Sequence, residues 1–232
     1  MNPLAVFPWI FRIRLLPISV MIYWAIDIGV QALLVNWVLY MKAKFGFGVV
    51  GTALCMLEYG VISAGAQTVG VKLLVPRVGD LRLVIFAVFL KFCAYIMFLA
   101  SNEKTPWSPF VAVVFFGLAS MSVPSILAII SRTTDESLQG KVIASAEMGR
   151  VLCDSISNFG FAALFAFFIS DTTPTYFPDV VVWSGMVMYA VALTLCCCLF
   201  VGYFDVIEQM KSKEVERKNE VELSELLEEK KI

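Results

Sequence analysis

The sequence predicts an all-α membrane protein with six spanning helices. Three observations carry that prediction. The chain is apolar throughout, with 59% hydrophobic and 16% charged residues and a mean hydropathy of +0.83, against roughly 45–50% and about 25% in a soluble domain. Six apolar segments approach or exceed the roughly 20 residues needed to cross a bilayer. Short connectors rich in Gly, Pro and charge separate them.

The first predicted span runs over 15–40, behind Arg12 and Arg14. At about 26 residues it is too long for the apolar core of a signal peptide. The second covers 49–75, after the turn Lys42 to Gly46. The third covers 83–100, after Pro76 to Asp80, and the fourth 110–130, after Ser101 to Pro109. Pro124 sits inside the fourth and is expected to bend it. The fifth covers 142–169, after the charged connector Ser131 to Lys141, and the sixth 180–204, after Ser170 to Asp179. Small residues such as Gly60, Ser63, Gly65, Gly117 and Ser120 allow close helix approach.

This divides the chain into a short N-terminal segment (1–14), a six-helix membrane domain (15–204) and a charged tail (205–232). The tail holds nine acids and six bases with scattered apolar positions. It reads as a solvated segment, with a partner-binding amphipathic helix as the alternative. Lys and Arg set the orientation. With the N-terminus cytoplasmic, Arg12, Arg14, Lys72, Arg77, Arg82, Arg132 and Lys141 fall inside, and only Lys42, Lys44 and Lys104 outside. Both termini are therefore expected in the cytoplasm.

Several functions are disfavoured. The charges are segregated by region, so the net charge of −1 says nothing about nucleic acid; the absence of a basic face argues against binding it. There is no His, and Cys55, Cys93, Cys153 and Cys196 to Cys198 lie in apolar spans without a CxxC pair. Neither a metal site nor a disulfide framework is expected. No phosphate loop, dinucleotide fingerprint, nucleophile elbow or zinc motif occurs, so neither an enzyme nor a cofactor is expected.

The chemistry concentrates in the ionisable groups at membrane depth, which are costly and therefore rare. On a helix turning 100° per residue, Glu147, Arg150, Asp154 and Asn158 fall within about 80° of one another. The fifth span therefore carries one polar stripe, which faces water or protein rather than lipid. The spacings let Arg150 pair with Glu147 or Asp154. The group reads either as a charge relay or as a lock fastening the helix to its neighbours. Asp27 and Gln31, one turn apart in the first span, form a second group. Glu58 lies at depth in the second span, on the face opposite Gln67. Lys91, in the middle of the third, snorkels, contacts an anionic solute or pairs with an acid such as Glu58; pairing is the expectation.

Some of these residues also resemble a known family. Asn2 to Ala5, before the Arg12/Arg14 pair and a span, is similar to the exit of the central loop in tetracycline/proton antiporters of the major facilitator superfamily. Ala66-Gln-Thr68 followed by Arg77-Val-Gly79 resembles the second span and cytoplasmic turn of that family's C-terminal half. Ser131-Arg-Thr133 with Asp135, Gln139-Gly140, Val142, Gly149-Arg150 and Leu152-Cys153 is similar to hippocampus-abundant-transcript-like transporters, and more loosely to the proton-coupled folate transporter family. The resemblance spans residues 1–204. Pro76 and Lys72 stand where many members have Asp and Gly, and Ser157-Asn158 replaces a Gly-Pro pair.

The resemblance implies two six-helix halves working by alternating access, with the solute site between them. This chain would supply the second half, helices seven to twelve in family order. Its implied partners are the lipid bilayer, a small solute, protons, and an N-terminal half or a second copy. Asp27, Gln31, Glu58, Lys91, Asp154 and Asn158 become candidates for the solute or proton pathway. Glu147, Arg150, Arg77, Arg132 and Asp135 become candidates for a charge lock or gate. The alternative from another class is a non-transporting membrane scaffold that binds a partner through its acidic tail.

Overall fold

A computed structural model describes residues 16–102, 104–134, 136–170 and 176–202. Arg12, Arg14, Asp135 and the tail from Asp205 lie outside them. The described chain is helical, and six of its helical stretches are long and apolar enough to cross a membrane. It is an all-α, multi-pass membrane protein.

The first span is two helices, α1 (Leu16–Leu34) and α2 (Trp37–Phe45), where the sequence predicts one. The break at Val35–Asn36 turns the Asn36 side chain toward the fifth span, and its Nδ2 donates to the Phe161 carbonyl at 3.1 Å. A short polar side chain that can bond a neighbouring backbone competes with helix continuation. α2 stops at Gly46, whose φ of 66° needs a residue without Cβ. Its N–H caps the Lys42 carbonyl at 3.1 Å, and Phe47 N–H reaches Met41 O at 3.3 Å.

The second span is α3 (Val49–Gly65), a π-helical turn over Ala66–Gly70, and α4 (Val71–Val78). Gly79, at φ 85°, makes the tight turn into α5 (Asp80–Ala100). The fourth span is α6 (Ser108–Leu118), a 3₁₀ turn at Ala119–Met121, and α7 (Ser122–Arg132). The two irregular turns face each other: Ser120 Oγ donates to Ser63 O at 3.3 Å, and a Cβ on Gly70 would strike Met121. Pro124, where a bend is expected, stands in the first turn of α7, directly after the 3₁₀ turn.

α8 (Glu136–Ile169) starts six residues before the predicted span. Its 34 residues extend about 51 Å at 1.5 Å each, well beyond a hydrocarbon core of about 30 Å, so the charged connector is largely helix. The sixth span is α9 (Val180–Gly202).

α1 and the α6–α7 span are the most buried, apolar nearly all round as central helices must be. α5 packs on α6 and α7, and α1 on α7 and α8. The second and fifth spans lie outermost and expose long apolar faces, including Val49, Leu57, Val61, Ile156 and Phe159. In a membrane those faces meet lipid or another membrane helix.

One end of the bundle is tied by Lys44 of α2. Its Nζ donates to the last carbonyls of α5, Phe98 O at 2.7 Å and Leu99 O at 3.4 Å, and to Asp179 at 2.6 Å. Tyr40 donates its hydroxyl to the same carboxylate at 3.1 Å. A cation on unpaired carbonyls at a helix C-terminus is favourable. Lys44→Met strands both the carbonyls and Asp179. It is expected to cost about 2–3 kcal/mol, read as a lowered unfolding temperature in detergent; unchanged thermal stability would show that the clamp is idle. At the other end Arg132 donates to Asp80, joining the end of α7 to the start of α5.

Candidate functional site

The polar stripe of α8 faces α1, across a seam of aromatic and ionisable residues. Tyr23 donates its hydroxyl to Glu147 Oε1 at 2.5 Å, and Trp24 donates Nε1 to the Ala146 carbonyl at 2.9 Å. The helices come this close because position 149 is glycine. A Cβ there would lie 2.7 Å from Trp24 Cε2.

Arg150 sits at the centre of the seam. Nε donates to Glu147 Oε2 at 2.9 Å and Nη1 to Asp154 Oδ2 at 3.0 Å. The same Nη1 lies 3.6 Å from Asp27 Oδ2 on α1. Three carboxylates thus share one guanidinium, two of them through one nitrogen. Asp27 and Asp154 each lie near the middle of their spans. The donors do not satisfy all the acceptors: Asp27 Oδ2, Asp154 Oδ1 and Asn158 Oδ1 are buried without a hydrogen-bond partner among the described residues. A buried carboxylate oxygen without a donor costs free energy that a proton, a cation or a change of partner relieves.

Lys91 is set against an aromatic wall beside this seam. It is 1% exposed, and its Nζ lies 4.9 Å from the Phe116 ring centroid and 5.7 Å from that of Tyr189. Those rings belong to a pile that includes Tyr59 and Tyr95. Tyr95 and Tyr189 donate their hydroxyls to the α1 carbonyls of Gly29 and Ile26, at 2.5 and 2.8 Å. Two α1 carbonyls flanking Asp27, one residue before it and two after, are thereby fixed from α9 and α5. The expected Lys91–Glu58 pair does not form. Glu58 lies in a groove of about 430 Å³ among Leu54, Leu57, Val61 and Phe110, with no ion pair among the described residues and with Oε2 unpartnered. No carboxylate among the described residues lies within ion-pair distance of Lys91. Stacking against π faces stabilises the buried ammonium without an acid in contact.

The other sequence candidates scatter. Gln31 is half-buried one turn beyond Asp27 and makes no side-chain hydrogen bond among the described residues. Arg77 is exposed in the last turn of α4. Arg132 is taken up by Asp80, and Asp135 is not among the described residues. Sequence reasoning missed Tyr23, Trp24 and the Tyr59–Tyr95–Tyr189 pile. Aromatic residues at helical spacing in an apolar span look like ordinary core, and nothing local marks which of them carries a hydrogen bond.

No protein-family model matches this chain, and no solved structure matches it.

Proposed function

We propose that the chain is the C-terminal six-helix half of a secondary transporter of the major facilitator superfamily. It would move a small solute by alternating access, with a second six-helix unit closing the pathway. The observation that supports this reading is the sharing of Arg150 among Asp27, Glu147 and Asp154 at the α1–α8 seam. Arg150 Nη1 bonds Asp154 at 3.0 Å while Asp27 stands at 3.6 Å, beyond hydrogen-bond reach, and a rocking helix pair can exchange one for the other. In the proposed cycle Asp27 or Asp154 takes up a proton when Arg150 moves to the other, which couples solute movement to a proton gradient. Long apolar faces on the second and fifth spans suit a partner half or lipid.

The test is flux in proteoliposomes under an imposed pH gradient, using a panel of sugars, amines and organic anions. Asp27→Asn and Asp154→Asn are each expected to lower proton-driven uptake about tenfold or more, a coupling of over about 1.4 kcal/mol, at unchanged protein yield. Glu58→Gln, away from the seam, is the comparison. Uptake that survives neutralisation of Asp27, Glu58 and Asp154 together overturns the relay. No uptake of any solute, with a folded chain paired to a partner through its tail, returns the chain to the scaffold class.

A further inference from the structure

α5 and α9 touch closely over one part of their length. A Cβ on Gly185 would lie 2.7 Å from the Tyr95 hydroxyl, and the Tyr95 and Tyr189 rings stack at 5.3 Å. Toward the start of α5 and the end of α9 the same two helices instead enclose an open groove of about 630 Å³. Its walls include Phe86, Phe89, Cys197 and Phe200, and Arg82 stands at one end. Phe86 and Phe89 are each half exposed.

The groove combines two kinds of chemistry. From Phe89 to Arg82 it runs about 10 Å along α5 at 1.5 Å per residue, a third of the depth of a hydrocarbon core. Along that length its walls are apolar. At the interfacial end Arg82 lies in the first turn of α5 and has no hydrogen bond or ion pair among the described residues. Among the described residues the acid nearest along the chain, Asp80, is committed to Arg132. Arg77 and Lys72 lie exposed at the same end of the bundle, so the rim is positive and the only described carboxylate beside it is neutralised. An uncharged lipid would use the apolar wall and leave the guanidinium unmatched. A phosphate with a net negative head group uses both, because guanidinium binds phosphate oxygens through parallel N–H donors.

We propose that the α5–α9 groove is a binding site for an anionic glycerophospholipid, with one acyl chain along Phe86, Phe89 and Phe200 and the head-group phosphate on Arg82. The lipid comes from the leaflet at the Arg77–Arg82 end, which the charge bias of the loops assigns to the cytoplasmic side. The site is separate from the Arg150 seam and does not depend on the transport reading. The other exposed apolar faces, on the second and fifth spans, carry Val49, Leu57, Ile156 and Phe159, and the two grooves beside them, of about 430 and 420 Å³, have no Lys or Arg in their lining.

The experiment is native mass spectrometry of the full chain released from detergent, titrated with phosphatidylglycerol, with phosphatidylcholine and with glycerol 3-phosphate. The unaltered chain is expected to retain phosphatidylglycerol in preference to phosphatidylcholine. Arg82→Gln is expected to weaken phosphatidylglycerol binding about five-fold, the effect of one juxtamembrane cation, and to weaken phosphatidylcholine, whose phosphate is offset by its choline, by less. Cys197→Trp, which fills the groove, is expected to weaken both lipids. Lys104→Gln at the opposite end of the bundle changes neither. Equal retention of the two lipids, or phosphatidylglycerol binding indifferent to both Arg82→Gln and Cys197→Trp, overturns the proposal. Full displacement of the lipid by glycerol 3-phosphate also overturns it, since recognition would then belong to the phosphate alone.

Discussion

Arg150→Ala is expected to destabilise the bundle by about 3 kcal/mol, toward the low end for breaking a buried ion pair. The lower value applies because Arg150 is 30% exposed and Glu147 36%. Removing the guanidinium leaves Asp27, Glu147 and Asp154 facing one another across the α1–α8 seam with no cation in contact. Mutual repulsion and lost desolvation compensation act in the same direction. The effect is checked by thermal unfolding of the purified chain in detergent. A triple variant separates charge from packing: Arg150→Ala with Asp27→Asn and Asp154→Asn should recover most of the loss, because the stranded charges are gone. Arg150→Lys should fall between, since a single ammonium cannot serve Glu147 through one nitrogen and Asp154 and Asp27 through another. A single variant as stable as the parent would show that Arg150 contributes nothing to holding the helices together.

Gly149→Ala is the second large expectation, and here two effects oppose each other. Alanine raises helix propensity by up to about 1 kcal/mol over glycine. Its Cβ, however, would stand 2.7 Å from Trp24 Cε2, so the ring must move and its hydrogen bond to the Ala146 carbonyl is lost. Overpacking typically costs about 1–3 kcal/mol, and the lost bond about 1 kcal/mol more. The clash therefore wins, with a net loss of about 1–3 kcal/mol in the same thermal assay. Adding Trp24→Ala should remove the conflict and expose the propensity gain. A Gly149→Ala chain more stable than the parent would mean that α1 and α8 do not meet as closely as described.

Both variants act on a seam whose two halves are legible in the sequence to different degrees. Glu147, Arg150 and Asp154 share one face by helical period alone, and their mutual pairing follows from the spacing. That Asp27, more than a hundred positions earlier, joins them depends on which helices are neighbours, and hydropathy carries no information on packing order. Lys91 is the clearest case. From sequence, a lone cation at depth calls for an acid, and Glu58 was the acid at a comparable depth. The folded chain sends Glu58 into a groove on α3 and sets Lys91 on Phe116 and Tyr189, whose roles no local pattern reveals. The spans themselves were legible because a bilayer fixes the length of an apolar helix. Their interruptions were not: Asn36, the π turn at Ala66–Gly70 and the early start of α8 at Glu136 each depend on a tertiary partner or a capping choice invisible to period.

The π turn has a geometric consequence for everything that follows it in the second span. One additional residue in a turn advances the helix by about 100°. Lys72, Leu73 and Arg77 therefore point in directions that counting from Glu58 or Ser63 at 3.6 residues per turn would misassign. The second span behaves as two cylinders joined out of phase. The phase offset aims Gly70 at Met121, while Gly117 on the facing span takes Ile62. A shift of one position, by deletion or insertion within Ala66–Gly70, would rotate the whole Val71–Val78 end of the span and leave Val49–Gly65 untouched.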